Sequence, residues 1–123
     1  MANPPNDLQP LRQAIDGLLY PSESDAPFEI FVWPGSSATS ATAAIQTNAD
    51  IKDPLEEVPV GQFFGELEST TDAQRFAALR QTLSATLKDL KVFRAGEVQV
   101  QIFLIGRAAS GDWVCVRTES VET

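Results

Sequence analysis

The chain has 123 residues, 43% of them hydrophobic, with a formal net charge of −8 and a pI near 4.3. That is enough sequence for one domain with a core, and it is too apolar to be disordered over its whole length. An acidic surface repels phosphate, which argues against direct nucleic-acid binding. The charge either serves solubility or matches a basic partner, such as a protein that itself binds nucleic acid.

Residues 1 to 6 are expected to form a flexible tail before a single domain that fills the rest of positions 1 to 123. Asp7 is placed to cap a helix whose apolar positions are Leu8, Leu11, Ile15, Leu18 and Leu19, three and four apart on one face. Pro10 falls in the first turn, where its missing N–H does little harm, and Pro21 stops the helix by Tyr20. The loop from Pro21 to Pro27 holds Glu23 and Asp25 among the hydroxyl residues Ser22 and Ser24, with a φ-fixing proline at each end. Packing does not require a stiff loop that holds a carboxylate toward water, so this one suggests a presented group. Phe28 to Trp33 is predicted to be a strand, with Phe28, Ile30 and Val32 on one face and Phe31 and Trp33 beside Glu29 on the other. Apolar groups on both faces predict a central strand covered on both sides, ended by Pro34-Gly35.

Positions 36 to 49 are rich in Ser, Thr and Ala without a clear period, and are expected to be an irregular connection, with a short strand near Ala43 to Thr47 as an option. Lys52 to Pro59 is charged, proline-broken and expected to be loop, and Gln62, Phe63, Phe64 and Leu67 suggest a short helix. The strongest helix is predicted from about Asp72 to Leu90. Thr71 and Gln74 form its capping box, Phe76, Leu79, Leu83, Leu87 and Leu90 its buried stripe, and Arg75, Arg80, Lys88 and Asp89 its wet face. From Glu97 to Gly106, Val98, Val100, Ile102 and Leu104 alternate with Gln99, Gln101, Phe103 and Ile105, and the turn Ala109 to Asp112 leads to a last strand, Trp113 to Thr118. This pair reads as an antiparallel hairpin, followed by a polar tail from Glu119 to Thr123. The order predicts an α+β fold, a mostly antiparallel sheet covered by the two longer helices.

Histidine is absent and Cys115 is the one cysteine, which excludes an internal disulfide, a His-based triad and, in practice, a zinc site built by this chain alone. Cys115 stands mid-strand between Val114 and Val116 and is expected to be a buried structural thiol. Glu29, Glu56, Glu57, Glu66 and Glu68 could supply an acid–base pair, but no spacing singles one out, so an enzyme is disfavoured. The opening MANPPNDLQP lacks the basic and apolar regions of a signal peptide, and a cytoplasmic location is expected. The carboxyl end brings a free carboxylate, the Thr123 hydroxyl and Glu122 into one small space, and such oxygens suit hard cations.

The segments GLLYPSESDAPFEIFVW (17–33) and FRAGEVQVQIFLIG (93–106), together with the terminal VET, resemble the nuclease A inhibitor (NuiA-like) family, inhibitors of a sugar-nonspecific ββα-metal endonuclease. The likeness spans most of the chain in order and length. It is specific at the helix–SES–strand junction, the FR-x-GEV start of a strand and the last three residues. The resemblance implies a three-layer α-β-α sandwich of the PR-1-like kind and a non-catalytic role without a cofactor of its own. It further implies that Glu23, flanked by Ser22 and Ser24, stands in for the scissile phosphate, and that Thr123 reaches the Mg²⁺ of the bound nuclease. Asp25 and Glu122 would then lie at the rim of a one-to-one contact. The chain departs from the family between Gly65 and Phe76, a stretch that is shorter here and lacks a Trp. The alternative is therefore a protein-binding domain of the same fold with a different partner.

Overall fold

The computed structural model describes residues 8–21, 25–49, 51–68, 70 and 72–121. Helix α1 covers Gln9–Ile15 and begins at Leu8, with proline in its first turn; Asp7, the expected cap, lies outside the described residues. Gly17, at φ 70°, turns the chain where an L-residue would be strained. The helix therefore ends before Leu18, which is buried, and Leu19, which is exposed. Two short strands follow, β1 (Leu19–Tyr20) and β2 (Ala26–Pro27), then β3 (Glu29–Trp33), α2 (Ala41–Asn48), β4 (Glu56–Val58), α3 (Val60–Leu67), α4 (Ala73–Thr86), β5 (Lys88–Ala95), β6 (Gln99–Arg107) and β7 (Trp113–Val121).

Five strands form one antiparallel sheet in the order β3-β7-β6-β5-β4. The period-2 pattern of β6 sorts its side chains cleanly. Val100, Ile102 and Leu104 meet Leu11 of α1, Phe63 and Phe64 of α3, and Phe76, Leu79 and Leu83 of α4. On the other face, Phe103 and Ile105 meet Ala41, Ala44 and Ile45 of α2, with Trp113 and Cys115 of β7. The architecture is thus α+β, a helix–sheet–helix sandwich with a core on each side.

Several expectations are corrected. Strand β3 is an edge strand, not a central one, because among the described residues its sheet partner is β7 alone. Both sheet faces are covered, so even the edge shows apolar residues on both: Ile30 packs on one core, Phe31 and Trp33 on the other, while Val32 is 44% exposed. Positions 41 to 48 are helical, started by Ser40, whose hydroxyl accepts from Ala43 N at 3.2 Å. The expected loop before Pro59 contains β4, held by pairing with β5 through Glu56↔Arg94 and Val58↔Val92. Helix α4 stops at Thr86, and Leu87 is already extended (φ −119°, ψ 145°), so Leu87 and Leu90 reach the core as strand-region residues. Asp89, at φ 54°, sits where the β5–β6 register shifts. Thr71 of the expected capping box lies outside the described residues, and Asp72, at the cap position, makes no side-chain cap bond. Arg75, expected to face water, reaches from α4 to donate to the Ala14 carbonyl at 3.3 Å, tying α1 to α4. Residues 119 to 121 continue β7 rather than starting a tail.

At the far end of the sheet, a Cβ on Gly35 would lie 2.1 Å from the Gly111 carbonyl oxygen, so the close approach of the β3 end to the β6–β7 turn requires glycine. Gly35 N donates there to Asp112 Oδ1 at 3.1 Å.

Candidate functional site

The loop singled out in the sequence closes a hairpin. Strands β1 and β2 pair antiparallel, Leu19 with Pro27 and Tyr20 with Ala26, and the connection runs from Pro21 to Asp25. A hairpin of such short strands is marginal alone, so tertiary contacts must hold it. Leu18 and Phe28, on either side of it, are buried. The Tyr20 ring lies 6.4 Å from Phe28 and 5.9 Å from Phe63, and Phe28 meets Phe76 edge-on at 6.3 Å. An aromatic chain thereby roots the hairpin in the α3–α4 side of the core.

The hairpin is also joined to the last strand. The Thr118 hydroxyl donates to the Pro27 carbonyl at 3.1 Å and, more weakly, to that of Ala26 at 3.4 Å. Strand β3 runs antiparallel to β7. Passing back from β3 toward Asp25 therefore leads the same way along the sheet as passing forward in β7 toward Val121, which is paired with Gln99. The described parts of the two predicted contact segments therefore run toward the same end of the sheet.

Of the predicted site residues, Asp25 is described and exposed. Glu23, Ser22, Ser24, Glu122 and Thr123 lie outside the described residues. At the same end, the opposite sheet face carries a network that sequence reasoning missed. Arg117 donates to Gln101 Oε1 through Nε (2.9 Å) and Nη2 (2.7 Å), and Gln101 Nε2 donates to Glu119 Oε1 at 2.9 Å. The Arg117 guanidinium also lies 5.3 Å from the Phe103 ring centre. A recess of about 240 Å³ beside it is lined by Ala26, Pro27, Glu29, Arg117, Thr118 and Glu119. The alternation of Arg117 and Glu119 with the buried Thr118 and Ser120 was the available signal, hidden by reading Glu119 as the start of a tail.

The carboxylates that the sequence offered for acid–base work are spread over separate elements. Glu29 is on one edge strand, Glu56 and Glu57 on the other, and Glu66 and Glu68 at the end of α3, where Glu68 makes a 4.0 Å surface contact with Arg80. Among the described residues no group of three or more His, Cys, Asp or Glu could hold a metal ion, and no helix is long and apolar enough to cross a membrane. Cys115 is fully buried, and burial pushes its thiol up despite the opposing pull of Arg117. Two results are expected. The native thiol should resist alkylation at neutral pH while the unfolded chain reacts. Above roughly pH 8.5 the unfolded thiol ionises and the folded one does not, so this group should lower stability by about 1.4 kcal/mol per pH unit. Alkaline melts of the wild type against Cys115→Ala check this, and equal alkaline slopes would contradict it.

Comparison with known proteins bears on the same regions. A family model described as nuclease A inhibitor-like protein matches residues 6–123, nearly the whole chain. Comparison with curated proteins gave no match.

Proposed function

The chain belongs to the nuclease A inhibitor-like family, and from that premise we propose that it inhibits a sugar-nonspecific, metal-dependent endonuclease by occluding the active site one to one. Family membership implies a role in nuclease inhibition generally, as a binding protein and not as an enzyme. The finer reading names the anchors. Glu23, flanked by Ser22 and Ser24, occupies the place of the scissile phosphate, the oxygens of Thr123 are offered to the Mg²⁺ that the nuclease carries, and Asp25 and Glu122 form the rim. Carboxylate and hydroxyl oxygens are hard donors, suited to a site built for phosphate and a hard cation. A net charge of −8 favours encounter with the basic channel of such an enzyme.

The observation that carries this reading is the junction of the hairpin with β7. Glu23 stands two residues before Asp25 and Thr123 two residues after Val121 in the sequence. Two residues span at most about 7 Å. A fold that points the hairpin and β7 toward the same end of the sheet is what a single partner site engaging both anchors would need. The short connection between α3 and α4, positions 68 to 72, favours a second reading in which the partner is not a nuclease, since this is where the chain departs from the family resemblance.

The test is direct titration of the purified protein against ββα-metal nucleases from the same source. A stoichiometric, one-to-one loss of DNA and RNA cleavage is expected. Full nuclease activity at a large excess of the protein would refute the inhibitor reading and leave the second.

A further inference from the structure

Thr118 is 2% exposed and lies on the face of β7 that the helices cover, between Val116 and Ser120. A threonine suits a strand for its branched side chain alone, and in that case its hydroxyl has no special partner. Here the hydroxyl donates 91 and 92 positions away, to the carbonyls of Pro27 and Ala26 in β2. The described β3–β7 ladder ends at Glu29↔Arg117, and Pro27 brings an acceptor but no N–H to extend it. The side chain of Thr118 therefore supplies a cross-link beyond the described end of that ladder.

We infer that Thr118 is a positioning residue of the contact surface, its hydroxyl locking Ala26 and Pro27, the described base of the hairpin, to β7. This inference rests on the inhibitor reading for its consequence, but its structural half stands without it. A loop held before encounter loses less conformational freedom on binding, and affinity gained by preorganisation is lost when the hold is removed. Tyr20 and Phe28 root the hairpin against the helices, and the Thr118 hydroxyl joins it to β7.

The experiment compares the full chain with Thr118→Val, which keeps the shape and removes the hydroxyl, and Thr118→Ser, which keeps the hydroxyl. Amide hydrogen exchange at Leu19, Tyr20 and Ala26 reads the hold without any nuclease. The valine variant should exchange there at least about tenfold faster, with the central β6 amides unchanged, and serine should restore most of the protection. Against a nuclease that the wild type inhibits, valine should weaken inhibition about tenfold, and serine by no more than about threefold. In a Glu23→Ala background, valine should add less than about twofold, because the loop it aims has lost its anchor. The inference is overturned if valine leaves hairpin exchange unchanged, if it speeds exchange equally throughout the sheet, or if its loss of inhibition simply multiplies that of Glu23→Ala. Should the wild type inhibit no nuclease, the proposed function fails, and the exchange comparison alone decides the role of Thr118.

Discussion

Glu23→Gln should weaken nuclease inhibition by about 30-fold to several thousand-fold while leaving thermal unfolding unchanged. Glutamine keeps the shape of the side chain and one carbonyl acceptor, so the change removes charge and little else. A carboxylate that takes the place of a phosphate faces the cation and basic groups that would hold the phosphate. Removing one member of a desolvated charge pair costs about 2–5 kcal/mol, largely because the other charges are left buried and uncompensated. At about 1.4 kcal/mol per decade, that is the range stated. Stability should not move, since a carboxylate whose proposed role is the contact with a partner takes no part in the core, and surface substitutions of that kind stay within about 0.5 kcal/mol. Deleting Thr123 should also weaken inhibition, and the two losses should fall short of multiplying, as two groups proposed to engage one site would give. Titration of the nuclease, with a parallel melt, separates binding from folding. A Glu23→Gln protein that inhibits as well as the wild type would remove Glu23 from its role.

How much of this could be read in advance depended on whether the physics was local. The β6–β7 hairpin was legible because Val100, Ile102 and Leu104 alternate with Gln101, Phe103 and Ile105 over many residues. Phe63, Phe64 and Leu67 likewise marked α3. Helix α4 was overrun because Leu87 and Leu90 continue its leucine spacing after the backbone has become extended, and a spacing in the sequence does not record φ and ψ. Strand β4 has weak strand formers, Glu56 and Glu57, and exists because β5 lies beside it. Helix α2 is small and polar, and its cue was the single cap at Ser40. At the candidate site, residues 22 to 24 of the acidic loop lie outside the described residues, but the loop itself was singled out in the sequence by its prolines and serines. Its hairpin was not, because strands of two residues carry no period. The bond from Thr118 and the link of Arg117 to Gln101 join residues far apart in the sequence, and only the register of the finished sheet brings them together.

Phe64→Ala should produce the opposite pattern, a large loss of stability with inhibition retained by the molecules that remain folded. Phe64 is fully buried, stacks edge-on with Phe63 at 5.1 Å, and lies in the core shared by α3, α4 and the sheet. Truncating such a ring removes its transfer free energy and leaves a cavity that close-packed neighbours fill only in part, a cost of about 3–5 kcal/mol. Set against a total stability of about 5–15 kcal/mol, this should lower the melting temperature by roughly 10–25 °C without preventing folding in the cold. The contact surface is insulated from the change by one layer: Phe63, not Phe64, meets Tyr20, and the hairpin keeps its bond to Thr118 on β7. Below the melting range, inhibition titrated per folded molecule should therefore fall by no more than about threefold. A melting temperature within about 5 °C of the wild type would mean that the core does not close around Phe64. A collapse of inhibition in the fully folded variant would mean that the hairpin takes its position from α3 and not from β7.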